Sequence, residues 1–186
     1  WDAFDARGIT ILKTGKAKID VSEVKQKAAP APKPQESLTR LSNNEMVTYR
    51  YVDKNGKILD GSDFRDPACT ALNDGKQRAG GAGTKDVMRV RFDFGAPIEP
   101  RRCVFFRRKP KSKRKGHAIL ERVVVRTGNT PSSLTTVLDH AVPEGKQRYS
   151  RTQIEYRMDI PECEGRYVQL DIYGPKFNLY EIELYA

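Results

Sequence analysis

The stretch "VMRVRFDFGAP", residues 87–97, decides the fold class. Val90, Phe92 and Phe94 fall on one side of an extended chain, and Arg91 and Asp93 fall on the other. That is the period of two required by a strand with one buried face and one wet face. The same alternation appears in "RYVQLDIY" (166–173), where Val168, Leu170 and Ile172 share a face. Six more short segments are read as strands: "VTYRYV" (47–52), "RCVFFR" (102–107), "AILERVVVRT" (118–127), "TTVLD" (135–139), "QIEYRMDI" (153–160) and "LYEIELY" (179–185). Gly, Pro, Asn and Asp separate them, and no long segment repeats at 3.6 residues. Eight short strands with one apolar face each predict an all-β chain folded as an antiparallel β-sandwich or jelly roll. The aromatic-rich last strand is expected to close the sandwich beside the first. "DGKQRAGGAGTKD" (74–86), with four glycines, is expected to be a loop.

Upstream of these strands, "AAPAPKPQE" (28–36) reads as an extended linker, since alternating Ala and Pro can continue neither a helix nor a central strand. It divides the chain into an N-terminal segment, 1–27, and a β-sandwich body, 37–186. The segment is too small to fold alone and reads as the end of a preceding domain or a docking arm. In it "ITILK" and "AKIDV" suggest a hairpin, and "VSEVKQK" suggests a short helix. The chain begins at Trp1, which suggests a processed product or part of a longer protein.

The net charge is +10, and residues 101–117 hold nine Lys/Arg with no acid. This concentration, centred on "RRKPKSKRKGH" (107–117), points to a local anion-facing loop between two strands. The longest apolar runs are four or five residues, too short for a bilayer span. Cys69, Cys103 and Cys163 form no CxxC pair, which argues against zinc; one disulfide or three reduced thiols both fit. The two histidines lie in no metal or triad pattern, and no phosphate-loop or nucleophile-elbow motif occurs. Asp60, Asp63 and Asp66 in "DGSDFRD" read as a solvated acidic loop before a cation site.

Several motifs, in order, resemble the discoidin-like domains: the coagulation factor five/eight C-type domains and bacterial carbohydrate-binding modules of the galactose-binding-like superfamily. "ALNDGK" precedes "VMRVRFDFGAP", then come "IEPRRCVFF", "ILERVVVRTGNTPSSLTTV", "GRYVQLDI" and "LYEIELYA". The resemblance covers about residues 45–186 and places Arg166 as a structural arginine holding a charge-assisted hydrogen bond. It implies a structural Ca²⁺ held by Asp74, the carbonyls of Ala71 and Lys76, Thr84 and Glu181. Here the run from Asp74 to Thr84 is longer than the family's, and the Trp that usually follows the Thr is missing.

The resemblance also implies a ligand site at one end of the sandwich. Arg107, Arg108, Lys109 and Lys111 would grip negative charge, His117 would add a hydrogen bond, and Phe177 and Asn178 would sit near the tip of the loop before the last strand. A sugar offers an apolar face for stacking and hydroxyls for hydrogen bonds, and Arg grips sulfate or carboxylate in a fork. The reading is a non-catalytic carbohydrate-binding module, part of a larger glycan-processing protein, with an anionic glycan as partner. The alternative is a docking subunit of a large assembly whose basic loop meets nucleic acid or an acidic protein. Membrane insertion is not expected, because Phe105 and Phe106 alternate within a strand rather than cap a loop. The resemblance favours an extracytoplasmic or secreted setting.

Overall fold

The computed structural model describes residues 3–4, 10–11, 38–42, 47–77, 81–84, 86–108, 120–143, 148–149, 153–175 and 177–186. Two compact units divide the chain, Trp1–Glu36 and Ser37–Ala186.

In the first unit, β1 (Ala3–Phe4) and β2 (Thr10–Ile11) pair antiparallel, with Ala3 opposite Ile11. The expected hairpin partnered the chain near Ile11 with residues downstream, whereas Ile11 pairs upstream. So short a ladder carries too little pattern for sequence to fix its partner. The expected second strand, short helix and Ala/Pro linker lie outside the described residues.

The second unit is a sandwich of two antiparallel five-stranded sheets. One sheet is ordered β4 (Ala82–Thr84), β12 (Phe177–Tyr185), β6 (Arg102–Arg108), β10 (Gln153–Asp159), β9 (Arg148–Tyr149). The other is ordered β3 (Thr48–Tyr51), β5 (Val87–Ile98), β11 (Gly165–Tyr173), β7 (Arg122–Gly128), β8 (Thr135–Ala141). The alternation in the sequence becomes the core. Val90 and Phe92 from β5, Val168, Leu170 and Ile172 from β11 and Val123 and Val125 from β7 face Phe105, Ile182 and Leu184, and all are fully buried. Each such side chain contributes about 1.5–3 kcal/mol relative to exposure. Phe105 lies in the core and Phe106 is buried on the other face of β6, so both are strand residues, as expected.

Three expectations need correction. The last strand does not lie beside the first: β12 runs between β4 and β6, and β3 pairs with β5 in the opposite sheet. There Tyr49 packs on Phe92 with ring centroids 5.5 Å apart and is buried. Residues 39–41, upstream of β3, take the place beside the end of β12, with Arg40 opposite Tyr185 and hydrogen bonds of 2.7 Å from Thr39 N to Ala186 O and from Leu41 N to Leu184 O. Second, the Gly-rich stretch 74–86 contains edge strand β4, with Ala82 opposite Leu179. Three small residues leave no alternation to read. Gly81 just before it has φ +93°, and a Cβ there would stand 2.1 Å from the Leu179 carbonyl oxygen, so only glycine lets the backbones approach. Third, β12 begins at Phe177 rather than Leu179, so Phe177 and Asn178 are strand residues, not loop-tip residues.

In the acidic loop Asp60 and Asp63 are exposed, as expected, and the correction falls on Asp66. Asp60 caps a 3-10 turn, Gly61–Phe64, through a 2.8 Å bond from Ser62 N. Asp66 is buried. Cys69, Cys103 and Cys163 are free thiols, the first two buried. Burial pushes the thiol of Cys103 well up from its ordinary value.

Candidate ligand-binding end and cation pocket

Antiparallel pairing gathers several chain turns at one end of the sandwich. Leu179 lies opposite Arg107, so β6 finishes where β12 starts. Tyr173 lies opposite Arg122, so β11 finishes where β7 starts. The basic segment between β6 and β7 and the turn between β11 and β12 therefore leave the sandwich at the same end. Lys109, Lys111 and His117 lie outside the described residues; Arg108 and Phe177 are placed in β6 and β12, with their side chains undescribed.

Arg107 needs correction. It is not in the loop but in β6, on the inward face of Cys103 and Phe105, and is 1% exposed. Its guanidinium is covered by the protein rather than offered to solvent. The parity of the strand, carried two residues past Phe105, would have placed it there.

Asn178 is half-buried and lies opposite Gly83 on β4. Its Oδ1 is buried and has no hydrogen-bond partner among the described residues. Buried polar atoms are almost always paired, and this acceptor lies at the end where the basic segment leaves.

A second group of polar residues gathers on the outer side of β12. Glu181 and Glu183 are 0% and 3% exposed. Arg40 reaches both, through Nη2 to Glu181 Oε1 and through Nη1 to Glu183 Oε1 at 2.8 Å. Gly75 N donates to Glu181 Oε1 at 3.3 Å, and Gln77 Nε2 donates to Glu183 Oε1 at 2.7 Å. Burial pushes the Glu181 carboxyl up to about 7, against the opposing pull of Arg40.

Two of the expected calcium ligands, Glu181 and Asp74, are neighbours here. Glu181 Oε2 is buried and without a hydrogen-bond partner among the described residues, and the Glu181 carboxyl feels the charge of Asp74. Asp74 accepts from Lys76 N at 2.8 Å and pairs with Lys76 Nζ at 3.1 Å, and Thr84 Oγ1 stands 3.5 Å from Val87 O. No three His, Cys, Asp or Glu side chains cluster among the described residues. A hard cation here would draw on Glu181, Asp74, Thr84 and the carbonyls of Ala71 and Lys76, an all-oxygen set that suits Ca²⁺. The orphaned Glu181 oxygen fits such an ion, while the Arg40 guanidinium already supplies one positive charge to the same carboxylate. Sequence reasoning missed Arg40 because it lies 141 residues from Glu181 along the chain.

Arg166 plays the structural part expected of it, gripping Asp93 through Nε at 2.7 Å and Nη2 at 2.9 Å. That fork holds the Asp93 carboxyl below its usual range.

With the geometry in place, comparison with known proteins identifies the architecture. No family profile matches the chain, and no curated protein matches its sequence. Solved structures match over most of the sandwich. The module CpGH89CBM32-6 of Clostridium perfringens superposes with a TM-score of 0.52 at 16% identity, covering 79% of this chain and 98% of its own. Chitosan-binding module 1 of a chitosanase/glucanase from Paenibacillus sp. IK-5 gives 0.53 at 14% identity, covering 80% and 99%. The family 32 carbohydrate-binding module of Clostridium perfringens NanJ, solved with galactose, gives 0.52 at 10% identity, covering 80% and 99%. The sandwich therefore has the discoidin-like fold that carbohydrate-binding modules of this kind share.

Proposed function

We propose that residues 37–186 act as a non-catalytic carbohydrate-binding module, that the module prefers an anionic glycan, and that it serves a larger glycan-processing protein. The observation that carries this reading is the unfilled acceptor of Asn178 at the end from which the basic segment leaves. An unmet buried acceptor costs about 1–3 kcal/mol, which a sugar hydroxyl would recover by donating to it. Arg108, Lys109 and Lys111 then supply charge for a carboxylate or sulfate, His117 a further hydrogen bond, and Phe177 an apolar face. Neighbours of like fold support the class: one was solved with galactose, and another is a fucose-binding module of Streptococcus pneumoniae.

A glycan array run at low and high salt tests this. Binding to one defined anionic glycan should survive high salt, and Asn178→Ala should weaken it about tenfold. Binding to every polyanion with a steep salt slope, unchanged by Asn178→Ala and Phe177→Ala, overturns the reading.

The same reading includes a structural Ca²⁺ at Ala71, Asp74, Lys76, Thr84 and Glu181, supported by the orphaned Glu181 oxygen. Calcium in hundredfold excess over its Kd should raise the melting temperature by about 5–10 °C. A melting temperature that neither calcium nor EDTA moves removes the ion.

A further inference from the structure

The outward face of the β3-β5-β11-β7-β8 sheet carries charge that the sandwich end does not use. Strand register sets out its rows. Arg50 lies opposite Arg91, Arg91 opposite Gln169, Gln169 opposite Arg126, and Arg126 opposite Thr136. In the next row Arg89 lies opposite Asp171, and Asp171 opposite Val124. These five strands contain six arginines (50, 89, 91, 122, 126 and 166), three aspartates (93, 139 and 171), and no Lys or Glu.

The three aspartates are all engaged. Asp93 holds Arg166, Asp139 holds Arg122 through Arg122 Nε at 2.6 Å, and Asp171 is shared by Arg126 Nη1 and by Arg89 Nε at 3.4 Å. Asp171 is only 1% exposed and also accepts from Gln169 Nε2 at 2.9 Å, so it fixes the two flanking arginines from beneath. Arg50 and Arg91 have no carboxylate partner among the described residues. Arg50 Nη1 donates to Tyr49 O at 3.0 Å, and Arg91 Nη1 to Pro131 O at 3.3 Å. Like charges directly opposite each other in an antiparallel pair are destabilising. An anion between them turns that repulsion into two charge-assisted contacts.

We propose that Arg50 and Arg91, flanked by Arg89 and Arg126, form a second anion-binding surface that takes the carboxylate or sulfate groups of an acidic polysaccharide lying across the sheet. The class of partner rests on the glycan reading above; the surface itself does not. Two observations favour a polysaccharide over nucleic acid. Arg122 sits over the Tyr173 ring at 5.4 Å and Arg166 over the Tyr167 ring at 5.1 Å, so one face of each ring that a base would stack on is already taken. Moreover, internal pairing leaves few free positive charges, which suits a sparsely charged chain better than a phosphate at every residue. The exclusive use of arginine suits planar, forked recognition of carboxylate and sulfate.

The test titrates the full chain with heparin oligosaccharides, oligogalacturonate, a neutral glucan oligosaccharide and oligothymidine of matched length. The wild type is compared with Arg50→Ala/Arg91→Ala and, separately, with Asn178→Ala. The double variant should bind both acidic glycans about tenfold more weakly, with an unchanged melting temperature because neither arginine pairs with a carboxylate among the described residues. Arg50→Lys/Arg91→Lys, which keeps the charge and loses the fork, should fall between. Unchanged affinity of the double variant for both acidic glycans overturns the surface. Oligothymidine binding that is tighter and suffers the same loss overturns the polysaccharide partner. A loss in the double variant without a loss in Asn178→Ala leaves this surface standing and removes the binding site at the sandwich end.

Discussion

Replacing Asp66 with alanine should destabilise the sandwich by about 4 kcal/mol, the loss expected when a buried charged acceptor is taken from several donors at once. Asp66 is 3% exposed. Its Oδ2 accepts from the phenols of Tyr49 and Tyr51, the latter at 2.8 Å, and its Oδ1 accepts from Thr70 N at 3.1 Å and Ala71 N at 3.2 Å. Tyr49 in turn accepts from Leu72 N at 2.9 Å, and Tyr51 stacks on Phe64 with centroids 4.1 Å apart. One carboxylate thus ties β3 to the loop 61–72 that carries the chain toward β4. Burial above all pushes both phenols above their usual range, joined by the hydrogen bond to Asp66 at Tyr49 and by Tyr49 and then Asp66 at Tyr51, so they remain neutral donors. Alanine would leave two buried phenols and two partly buried amides without their acceptor. In a domain of this size the melting temperature should fall by roughly 8–16 °C. Tyr51→Phe, which removes one donor and leaves the acceptor satisfied by three others, should cost only about 1 kcal/mol. Urea denaturation of the three proteins measures both. Equal stability of Asp66→Ala and Tyr51→Phe would show that the carboxylate does not organise this loop.

The aspartate network also marks where sequence reasoning ran out. The sandwich was legible because Val90/Phe92, Val168/Leu170/Ile172 and Ile182/Leu184 obey a local rule: neighbours two apart share a fate. Strand partners are not local. β12 and β3 look alike as apolar alternations, yet they belong to opposite sheets, and β3 meets its partner β5, Tyr49 on Phe92, across 43 residues of sequence. Edge strand β4 was illegible because Ala82, Gly83 and Thr84 carry no pattern; its existence is written in Gly81 and in the backbone of Leu179. Composition misled at Arg107. The basic run begins inside the strand, and the rule that places Phe105 in the core places Arg107 there too. Asp66 resembled Asp60 and Asp63 in sequence, and only the fold aims two tyrosines at it. At the candidate site, the strand ends that gather the basic segment and the start of β12 follow from strand order. The open acceptor on Asn178 follows from its neighbours in space and could not be read beforehand.

Arg40→Ala should cost about 3–5 kcal/mol near pH 8, because removing one partner of a buried ion pair strands the other. Here it strands two carboxylates, Glu181 and Glu183, on one strand. The loss should depend on pH. Glu181 holds its proton up to about 7 in the fold, against an ordinary value of 4.5. Its protonation therefore stabilises the fold fully below about 4.5, and that contribution fades as pH rises through about 7. Arg40 is the strongest influence opposing this rise. Without it the carboxyl keeps its proton to higher pH, and ionising it costs more. The variant should thus lie closer to the wild type at pH 5 than at pH 8, and adding Glu181→Gln should recover part of the loss at pH 8. Calcium enters the same balance. A divalent ion on Glu181 Oε2 would supply the charge that Arg40 supplied, so calcium should stabilise Arg40→Ala more than it stabilises the wild type. Denaturant unfolding at pH 5 and pH 8, with and without calcium, measures all of this. A loss below 1 kcal/mol that is equal at both pH values would mean that water, not Arg40, balances the two glutamates. Residues 39–42 would then be held to β12 by their backbone hydrogen bonds and by Ser42 Oγ, which accepts from Leu184 N at 3.2 Å.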